Sequence, residues 1–233
     1  MITIVDERIS EKMKRRLQFF TEVITLPKSC DLGDAVCSHP DMLMFTHKNR
    51  IITNADYCEA HPWIFSDIRE YANCEFTVTS EKFEKKYPHD AIFNALVVDN
   101  YIFYKEDSVS YAVKEYAMKV GLTPVGVNQG YPACTTLAFA KSAITADPGM
   151  AKALSSVGIK VTLIRNGDIS LPPYEYGFIG GASGVDGERV YFYGDPAAHP
   201  SGDEIRCFIE DGGGEVIPLS DGPLCDFGKI LFI

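Results

Sequence analysis

The chain has 233 residues, of which 46% are hydrophobic and 23% are charged, proportions typical of a globular protein. Lys and Arg number 22 against 32 Asp and Glu, so the formal net charge is −10, which disfavours nucleic acid and anionic membranes as partners. No apolar run reaches the roughly 18 residues that span a bilayer, and the charged N-terminus is unlike a signal peptide. The seven cysteines are therefore expected to be reduced thiols in the cytoplasm.

A repeat runs through the chain in five steps. Five short apolar runs each end in an aspartate, and helical spacing of apolar residues usually follows; the aspartates are Asp6, Asp56, Asp107, Asp147 and Asp195. They lie 50, 51, 40 and 48 residues apart, and the step from the last through the chain ends to the first is 44. Their shared position before helices indicates helix N-caps rather than a ring of ligand carboxylates.

The step around Asp147 gives the order of elements most clearly. CTTLAF (134–139) and AITA (143–146) are β-branched and apolar, so we expect two strands that pair as a hairpin. Asp147 and Pro148 predict the start of a helix, because aspartate caps and proline is tolerated at the first helical position. IKVTLI (159–164) predicts a third strand, and the unit reads strand, strand, helix, strand.

The other steps repeat this order. The approximate units are 28–79, 88–127, 128–164, 166–219, and a split unit made of 220–233 and 1–27. In the fourth unit, Ser201 followed by Glu204 predicts a capping box. In the split unit, KILFI at the C-terminus is expected to pair with ITIV near the N-terminus, which closes a ring and removes exposed sheet edges. The sequence thus predicts one α/β domain, residues 1–233, with five ββαβ units and pseudo-fivefold symmetry.

Five such units around one axis resemble the pentein fold, the α/β-propeller of the guanidino-group-modifying enzymes. Arginine deiminase, dimethylarginine dimethylaminohydrolase and glycine amidinotransferase share that fold, as does the non-enzymatic eukaryotic initiation factor six. The strings NQGYPACTT, AITADPGMAKAL, YGFIGGASG and GDPAAHP are similar to a bacterial family of unknown function with the same fold. The resemblance covers residues 1 to 233 and rests mainly on architecture.

The resemblance implies a small-molecule ligand at the mouth of the central channel, where the loops that lead into the first strand of each unit meet. The candidate ligand-binding residues in and beside these loops are Asp41, Asn94, Gln129, Gly180, Gly181, Ser183 and Asp226. The two adjacent glycines are expected inside the first strand of the fourth unit. Glycine within a strand often marks the close approach of a ligand or of another backbone.

Enzymes with this fold attack a guanidinium carbon with a cysteine thiolate, aided by a histidine and by carboxylates that hold the cation. In the characterised enzymes that cysteine lies in the last unit, near the C-terminus. No cysteine follows Asp226 in this sequence. Ordinary arginine deiminase activity is therefore expected to be absent.

Cys134 is the first candidate nucleophile, because it directly follows NQGYPA at the predicted channel mouth, and His199 in GDPAAHP is its candidate base. The alternates are Cys225 and the pair Cys37 and His39, which strand alternation would place on one face. Each thiol also has a purely structural interpretation, since a free cysteine is usually a small buried apolar residue.

The segments that could bind a dinucleotide cofactor or a zinc ion do not match the known motifs. GFIGGASGVDG lacks G-x-G-x-x-G and precedes a predicted strand, and C-x₆-C-x-H lacks the usual zinc spacing and a fourth ligand. We expect no cofactor and no metal, and the sequence does not indicate an oligomeric state. Two functions are left open: a cysteine-dependent hydrolase or transferase for a small guanidino or amidine substrate, or a non-catalytic protein that binds a small molecule or partner.

Overall fold

The computed structural model describes residues 1–233 and contains fifteen strands and eight α-helices. The strands are β1 (Ile2–Asp6), β2 (Glu22–Leu26), β3 (Met44–His47), β4 (Arg50–Asn54), β5 (Glu75–Thr79), β6 (Leu96–Val98), β7 (Tyr101–Tyr104), β8 (Thr123–Gly126), β9 (Thr136–Phe139), β10 (Ser142–Thr145), β11 (Val161–Leu163), β12 (Ser183–Asp186), β13 (Arg189–Phe192), β14 (Glu215–Pro218) and β15 (Leu231–Phe232). The helices are α1 (Glu11–Gln18), α2 (Pro40–Leu43), α3 (Ala55–Ala60), α4 (Pro62–Tyr71), α5 (Tyr111–Val120), α6 (Pro132–Thr135), α7 (Pro148–Ser156) and α8 (Gly202–Asp211).

The strands form five separate three-stranded sheets with one common topology. In each sheet the middle strand pairs antiparallel with one neighbour and parallel with the other. The parallel pair is always joined through at least one helix, as a parallel connection requires. The predicted architecture of five ββαβ units is confirmed.

The fifth sheet is built from both ends of the chain. β15 pairs antiparallel with β1, with Thr3 opposite Phe232 and Ile4 opposite Leu231. The backbones of Ile2 and Ile233 also exchange two hydrogen bonds, of 2.8 and 3.0 Å. The predicted pairing of the terminal strands is therefore present, and the two termini lie side by side.

The middle strand of every sheet is largely buried, which explains why the sequence shows five short apolar runs. Fully buried residues of the middle strands include Ile2, Ile4, Ile51, Ile52, Ile102, Phe103, Ala143, Ile144, Val190 and Phe192. No helix is both long enough and apolar enough to cross a membrane.

Two of the five repeated aspartates cap helices, as predicted. The Asp147 carboxylate accepts a 2.8 Å hydrogen bond from the Met150 backbone at the start of α7, and Asp195 caps the short 3-10 helix Pro196–Ala198. The other three do not cap: Ser10 caps α1, Asn54 caps α3 and Ser110 caps α5. A small polar residue directly before the helix takes the cap in each case, and Asp56 lies within the first turn of α3.

The predicted capping box of the fourth unit is also wrong. Ser201 stands at the N-cap of α8, but its side chain makes no capping hydrogen bond. Its hydroxyl instead accepts a 3.1 Å hydrogen bond from the Arg165 backbone N–H. The hydroxyl thus links α8 to the loop after β11.

Two single-turn helices directly precede first strands, and the second of them takes up the start of the predicted strand CTTLAF. α2 ends directly before β3 and α6 ends directly before β9, so Cys134 lies in a helical turn and not in a strand. A proline opens each turn, since its fixed φ and missing N–H suit the first helical position. All four residues of each turn are buried.

Gly180 and Gly181 were expected inside the first strand of the fourth unit. They lie instead in the turn before that strand, β12. A Cβ atom on Gly180 would lie 2.2 Å from the carbonyl oxygen of Ala133, and Gly181 donates its N–H to the carbonyl of Cys134 at 2.9 Å. The predicted close approach of another backbone is therefore real. It joins the fourth unit to the turn that carries the cysteine.

Candidate functional site

A cavity of about 330 Å³ opens among the loops that lead into the first strands. Its wall includes Cys134, His39, Asp226 and Asp90. With Glu175, one thiol, one imidazole and three carboxyl groups thus line a single cavity. The segment Leu171–Phe178 supplies much of the remaining wall, with Tyr174, Glu175 and Tyr176 among its lining residues.

The Cys134 sulfur lies in a buried polar cluster drawn from three units. Its thiol donates to Asp41 Oδ2 at 2.8 Å, and the Asn94 side-chain amide lies 2.9 Å from the sulfur. The same amide donates to Asp41 Oδ2 at 3.2 Å, and Asn94 Oδ1 accepts from the Ala133 backbone at 2.8 Å. Only 4% of the cysteine is exposed. Each bond fixes one side chain against another, so the thiol has a defined position.

Asp226 forms the second part of the site. Its carboxylate accepts backbone hydrogen bonds of 2.9 Å from Phe178 and from Gly228. Glycines make the room that this side chain needs, because a Cβ atom on Gly181 would lie 2.1 Å from Asp226 Oδ1 and one on Gly177 would lie 2.5 Å from Asp226 Cβ. Gly177 and Gly181 are therefore needed because the Asp226 side chain packs directly against them.

His39 is buried between two acids. Its Nδ1 lies 3.8 Å from Asp226 Oδ1 and its Nε2 lies 4.0 Å from Asp6 Oδ2, distances too long for hydrogen bonds. Both ring nitrogens are buried and have no hydrogen-bond partner. Asp6 is itself held by the Arg8 guanidinium, with contacts of 2.9 Å to Oδ1 and 2.6 Å to Oδ2.

The electrostatics of the site favour neutral groups. Burial raises the pKa of the Cys134 thiol well above its usual value, and the charges of Asp41 and Asp226 add to that effect. Burial lowers the pKa of His39 well below its usual value, and Arg8 adds to that effect. The free site therefore holds a thiol and a neutral imidazole at neutral pH.

The Asp226 carboxyl titrates in the same range as a free histidine. Burial raises the pKa of Asp226 to about 7, against the lowering effect of the backbone N–H groups of Gly228 and Phe178. A positive charge in the cavity would favour the ionised form of this carboxyl and of the thiol. The arrangement is thus suited to receive a small cation.

The structure brings together five residues that the sequence singled out. Cys134, Asp41 and Asn94 are in direct contact, and Asp226 and His39 line the same cavity as the cysteine. Gly180 and Gly181 pack directly behind them. Each lies in or beside a segment before a first strand, so the repeat itself was the signal.

The other predicted residues lie elsewhere. His199 does not line the cavity: its Nε2 contacts the Gly167 carbonyl at 3.1 Å, and its Nδ1 accepts from the Ser201 backbone at 3.0 Å. Gln129 donates to Asp147 at 2.6 Å, and the Ser183 hydroxyl donates to the Ile179 carbonyl at 2.7 Å. Neither lines the cavity.

The two alternate cysteines do not line it either. Cys37 is buried and its thiol donates to the Asp34 carbonyl at 3.3 Å, while the Cys225 sulfur lies 3.7 Å from the Pro223 carbonyl. The pairing of Cys37 with His39 is therefore not formed at the cavity. His39 contributes to the site, but beside Cys134.

Sequence reasoning missed several residues of the site. Asp6 was interpreted as a helix cap, whereas its carboxylate faces His39 and pairs with Arg8. Asp90 and Tyr131 line the cavity, and both fall in loops that were predicted to form the channel mouth. Lys229 donates its backbone N–H to Asp41 at 3.0 Å, and burial lowers the pKa of its ammonium group, opposed by Asp41 and Cys134. No group of three or more His, Cys, Asp or Glu side chains is arranged to hold a metal ion.

Comparisons with known proteins agree with this architecture. The model of a family described as "Family of unknown function (DUF6873)" matches residues 4–231. No curated protein matches the chain by sequence.

Solved structures with similar folds include guanidino-modifying enzymes. Dimethylarginine dimethylaminohydrolase from Pseudomonas aeruginosa, a cysteine-to-serine variant in complex with citrulline, is 10% identical with a TM-score of 0.57, over 93% of this chain and 91% of that one. The amidinotransferase SxtG of Microseira wollei is 12% identical with a TM-score of 0.51, over 93% and 87%. The N-terminal domain of ArgZ, covalently bound to a reaction intermediate, is 9% identical with a TM-score of 0.54, over 94% and 91%. These likenesses show that the chain has the pentein fold.

Proposed function

The chain belongs to the DUF6873 family, whose function is unknown, and we propose from the site itself that it is a thiol-dependent enzyme. Its substrate in this proposal is a small cation of the guanidino or amidine type, bound in the central cavity. The reaction transfers or hydrolyses the carbon–nitrogen group through a covalent intermediate on Cys134.

One observation carries the proposal: the Cys134 thiol, hydrogen-bonded to Asp41 at 2.8 Å, shares a cavity with His39 and Asp226. A planar cation with several N–H groups pairs well with carboxylates. The charges of Asp41 and Asp226 disfavour the thiolate form of Cys134. A bound cation would offset these charges and so favour loss of the thiol proton. Binding and activation of the nucleophile would then be the same event.

The chemistry balances with the groups that are present. The thiol proton passes to Asp41 and then to the leaving amine, while the sulfur bonds to the central carbon and the carbon–nitrogen bond breaks. Neutral His39 can accept a proton from the water that attacks the thiol-bound carbon. That proton returns to the sulfur when the carbon–sulfur bond breaks. The second proton of the water leaves the product oxygen for the released amine, so that a neutral carbonyl product and an ammonium ion depart and the starting state is restored.

The fold neighbours support the same chemistry, since they include enzymes that act on guanidino groups. The positions differ from those expected from the resemblance, because the cysteine here lies in the third unit and not near the C-terminus. The reactive residues are thus proposed from the geometry of the site, and the similarity of fold indicates only the class of reaction.

A charge-directed labelling experiment tests the proposal. Chloroacetamidine and chloroacetamide have the same shape, both form a thioether with loss of chloride, and only the amidine is cationic. Peptide mass spectrometry after partial reaction gives the rate at Cys134 and at the exposed Cys30 and Cys207. We expect the ratio of the amidine rate to the amide rate at Cys134 to exceed the ratio at the exposed thiols by about tenfold or more. This is the factor expected from one hydrogen bond to a charged group.

Two variants complete the test. Asp226→Asn should remove most of the preference for the cation at Cys134 and leave the exposed thiols unchanged. Cys134→Ser should abolish labelling of that peptide. An amidine-to-amide ratio at Cys134 equal to that at Cys30 would contradict the proposal.

A second function has one observation in its favour. The raised pKa of the Cys134 thiol is what a purely binding site would also show, because nothing there needs to ionise. In that case cationic ligands would bind reversibly in the cavity. Calorimetric binding without turnover, together with no charge-directed labelling of Cys134, would favour the binding protein.

A further inference from the structure

One position recurs in all five units, two residues before the first strand. A different residue occupies it in each unit: Met42, Asn94, Cys134, Gly181 and Lys229. The Asn94 amide lies 2.9 Å from the Cys134 sulfur and 3.6 Å from the Met42 sulfur. The Gly181 N–H bonds to the Cys134 carbonyl at 2.9 Å. These positions therefore meet around the pseudo-fivefold axis, and Lys229 brings the one positive charge among them.

One carboxylate joins Lys229 to the nucleophile. Asp41 Oδ1 accepts the Lys229 backbone N–H at 3.0 Å, and Asp41 Oδ2 accepts the Cys134 thiol at 2.8 Å. Lys229 is half-buried and is not part of the cavity wall. The lysine thus approaches the aspartate and the cysteine from outside the cavity, and it leaves the space for a substrate free.

The Lys229 ammonium has no acid of its own. Its Nζ donates no hydrogen bond within the protein, and no ion pair within 4.0 Å includes it. Burial lowers the pKa of this ammonium, and the negative charges of Asp41 and Cys134 oppose that effect. An ammonium removed from water is costly unless an anion lies near it. The anions that fulfil this condition are the Asp41 carboxylate and the Cys134 thiolate.

No other base is available to the thiol. The Arg8 guanidinium is bound to Asp6, with contacts of 2.9 and 2.6 Å, and burial lowers the pKa of His39. The attraction between two charges is mutual, so a thiolate that favours the ammonium form of Lys229 is favoured by that ammonium in return. The other titratable groups that face the thiol or line its cavity are acids and a phenol: Asp41, Asp90, Tyr131, Glu175 and Asp226.

We propose that Lys229 is a positioning residue of the thiol-dependent reaction: its ammonium stabilises the negative charge on the Cys134 sulfur after the thiol proton has passed to Asp41. This inference rests on the proposed function, to which it adds a positive charge supplied by the protein itself. The negative charge moves from the carboxylate to the sulfur in that step, and the ammonium stays beside both. A cationic substrate in the cavity and Lys229 outside it then act on the same thiolate.

The pH dependence of alkylation by neutral chloroacetamide tests the inference. Partial reaction at a series of pH values, followed by peptide mass spectrometry, gives the pH profile of the rate at Cys134. Lys229→Met keeps the length of the side chain and removes the charge, so its profile should be displaced by about one pH unit or more toward higher pH. At a fixed pH where the thiol form predominates, Cys134 should react about tenfold or more slowly than in the wild type.

Matched variants separate the charge from the packing of the side chain. Lys229→Arg keeps the positive charge and should restore the larger part of the rate at Cys134. Lys82→Met removes an exposed charge that is paired with Asp56, and it should leave the profile unchanged. The exposed Cys30 and Cys207 should keep their profiles in every variant. Urea denaturation shows which variants are folded, and Lys229→Gln repeats the test if Lys229→Met is not.

Three outcomes would overturn the inference: a Lys229→Met profile that coincides with that of the wild type, an equal loss of rate in Lys229→Met and Lys229→Arg, or unfolding of both neutral variants. The last two would assign the lysine to packing or to the fold. None of them changes the preference of wild-type Cys134 for chloroacetamidine over chloroacetamide, so the proposed enzyme would survive. Conversely, a displaced profile without that preference would retain the role of Lys229 and reject the cationic substrate.

Discussion

The Asp226 carboxyl is held between opposing influences that bring its pKa to about 7. Burial and the nearby Asp41 favour the neutral form, and two backbone N–H groups favour the ionised form. In the unfolded chain this group returns to its ordinary value of 3.8. Between these two values the folded protein binds more protons than the unfolded chain, so its stability falls as the pH rises.

This linkage predicts a pH-dependent difference between the wild type and Asp226→Asn. The free energy of unfolding of the wild type, measured against the variant by urea denaturation, should fall by about 2 kcal/mol between about pH 5 and about pH 8. The matched variant Asp221→Asn changes an exposed carboxyl. It should show little difference from the wild type over this range, and a constant difference for Asp226→Asn would contradict the raised pKa.

The sequence could predict the site residues that occupy a repeated position in the units. It could not predict residues whose role depends on contacts with distant segments. Asp41, Asn94, Cys134 and Asp226 each precede a first strand, and the repeat alone marked them. His199 was preferred to His39 because sequence position does not reveal which imidazole has its nitrogens bonded to a loop.

Asp6 shows the opposite error at the same scale. In the sequence it closes an apolar run like the other four aspartates, so the repeat indicated a cap, but in the structure it is the last residue of β1. What distinguishes it is the guanidinium of Arg8, two residues later, which also donates to the carbonyls of Asp34 and Ala35. A salt bridge that depends on a third segment of the chain cannot be inferred from periodicity.

At the scale of elements, the short turns before the first strands determine the site. α2 and α6 each have four residues, too few for any helical periodicity to be visible in the sequence. Sequence reasoning therefore placed the start of the strand too early at Cys134. The prolines at the start of both turns were the available signal, and propensity for strand in the following residues outweighed it.

Gly181 connects one such turn to the site, and its substitution by alanine is a direct test. The added Cβ would lie 2.1 Å from Asp226 Oδ1, so the carboxylate or the turn must move. We expect Gly181→Ala to lower the free energy of unfolding by about 1–3 kcal/mol, the usual range for overpacking, and to reduce the preference of Cys134 for chloroacetamidine.

Gly33→Ala is the matched control for this prediction. Gly33 also lies in a loop before a first strand, but a Cβ there has nothing within 4 Å and its φ is not positive. Urea denaturation should show a change within about 1 kcal/mol, on the stabilising side, and labelling should be unaffected. Similar losses in both alanine variants would mean that the site geometry around Asp226 is wrong.

At the scale of the whole molecule, the repeat made the architecture predictable. Each unit has the same order of elements because each middle strand needs an antiparallel and a parallel neighbour. The cavity then lies where the segments before the first strands meet, and each of the five units contributes there. Such a site cannot be recognised from any one motif, since its main residues are separated by 40 to 188 positions in their hydrogen-bonded pairs.

The split unit makes the last prediction, which concerns a circular permutant. Ile2 and Ile233 exchange backbone hydrogen bonds, so a short Gly/Ser linker can join Ile233 to Met1 without strain. New ends between Asp186 and Gly187 would fall in the exposed turn that joins β12 to β13. We expect one cooperative urea transition, because every sheet keeps its three strands, and unchanged labelling of Cys134. The control is the same permutant without residues 229–233. This deletion removes β15 from its partner β1 and the buried Ile230 and Leu231 from the core, so the control should not fold. An aggregated permutant, or a folded control, would show that the pairing of β15 with β1 does not hold the molecule together.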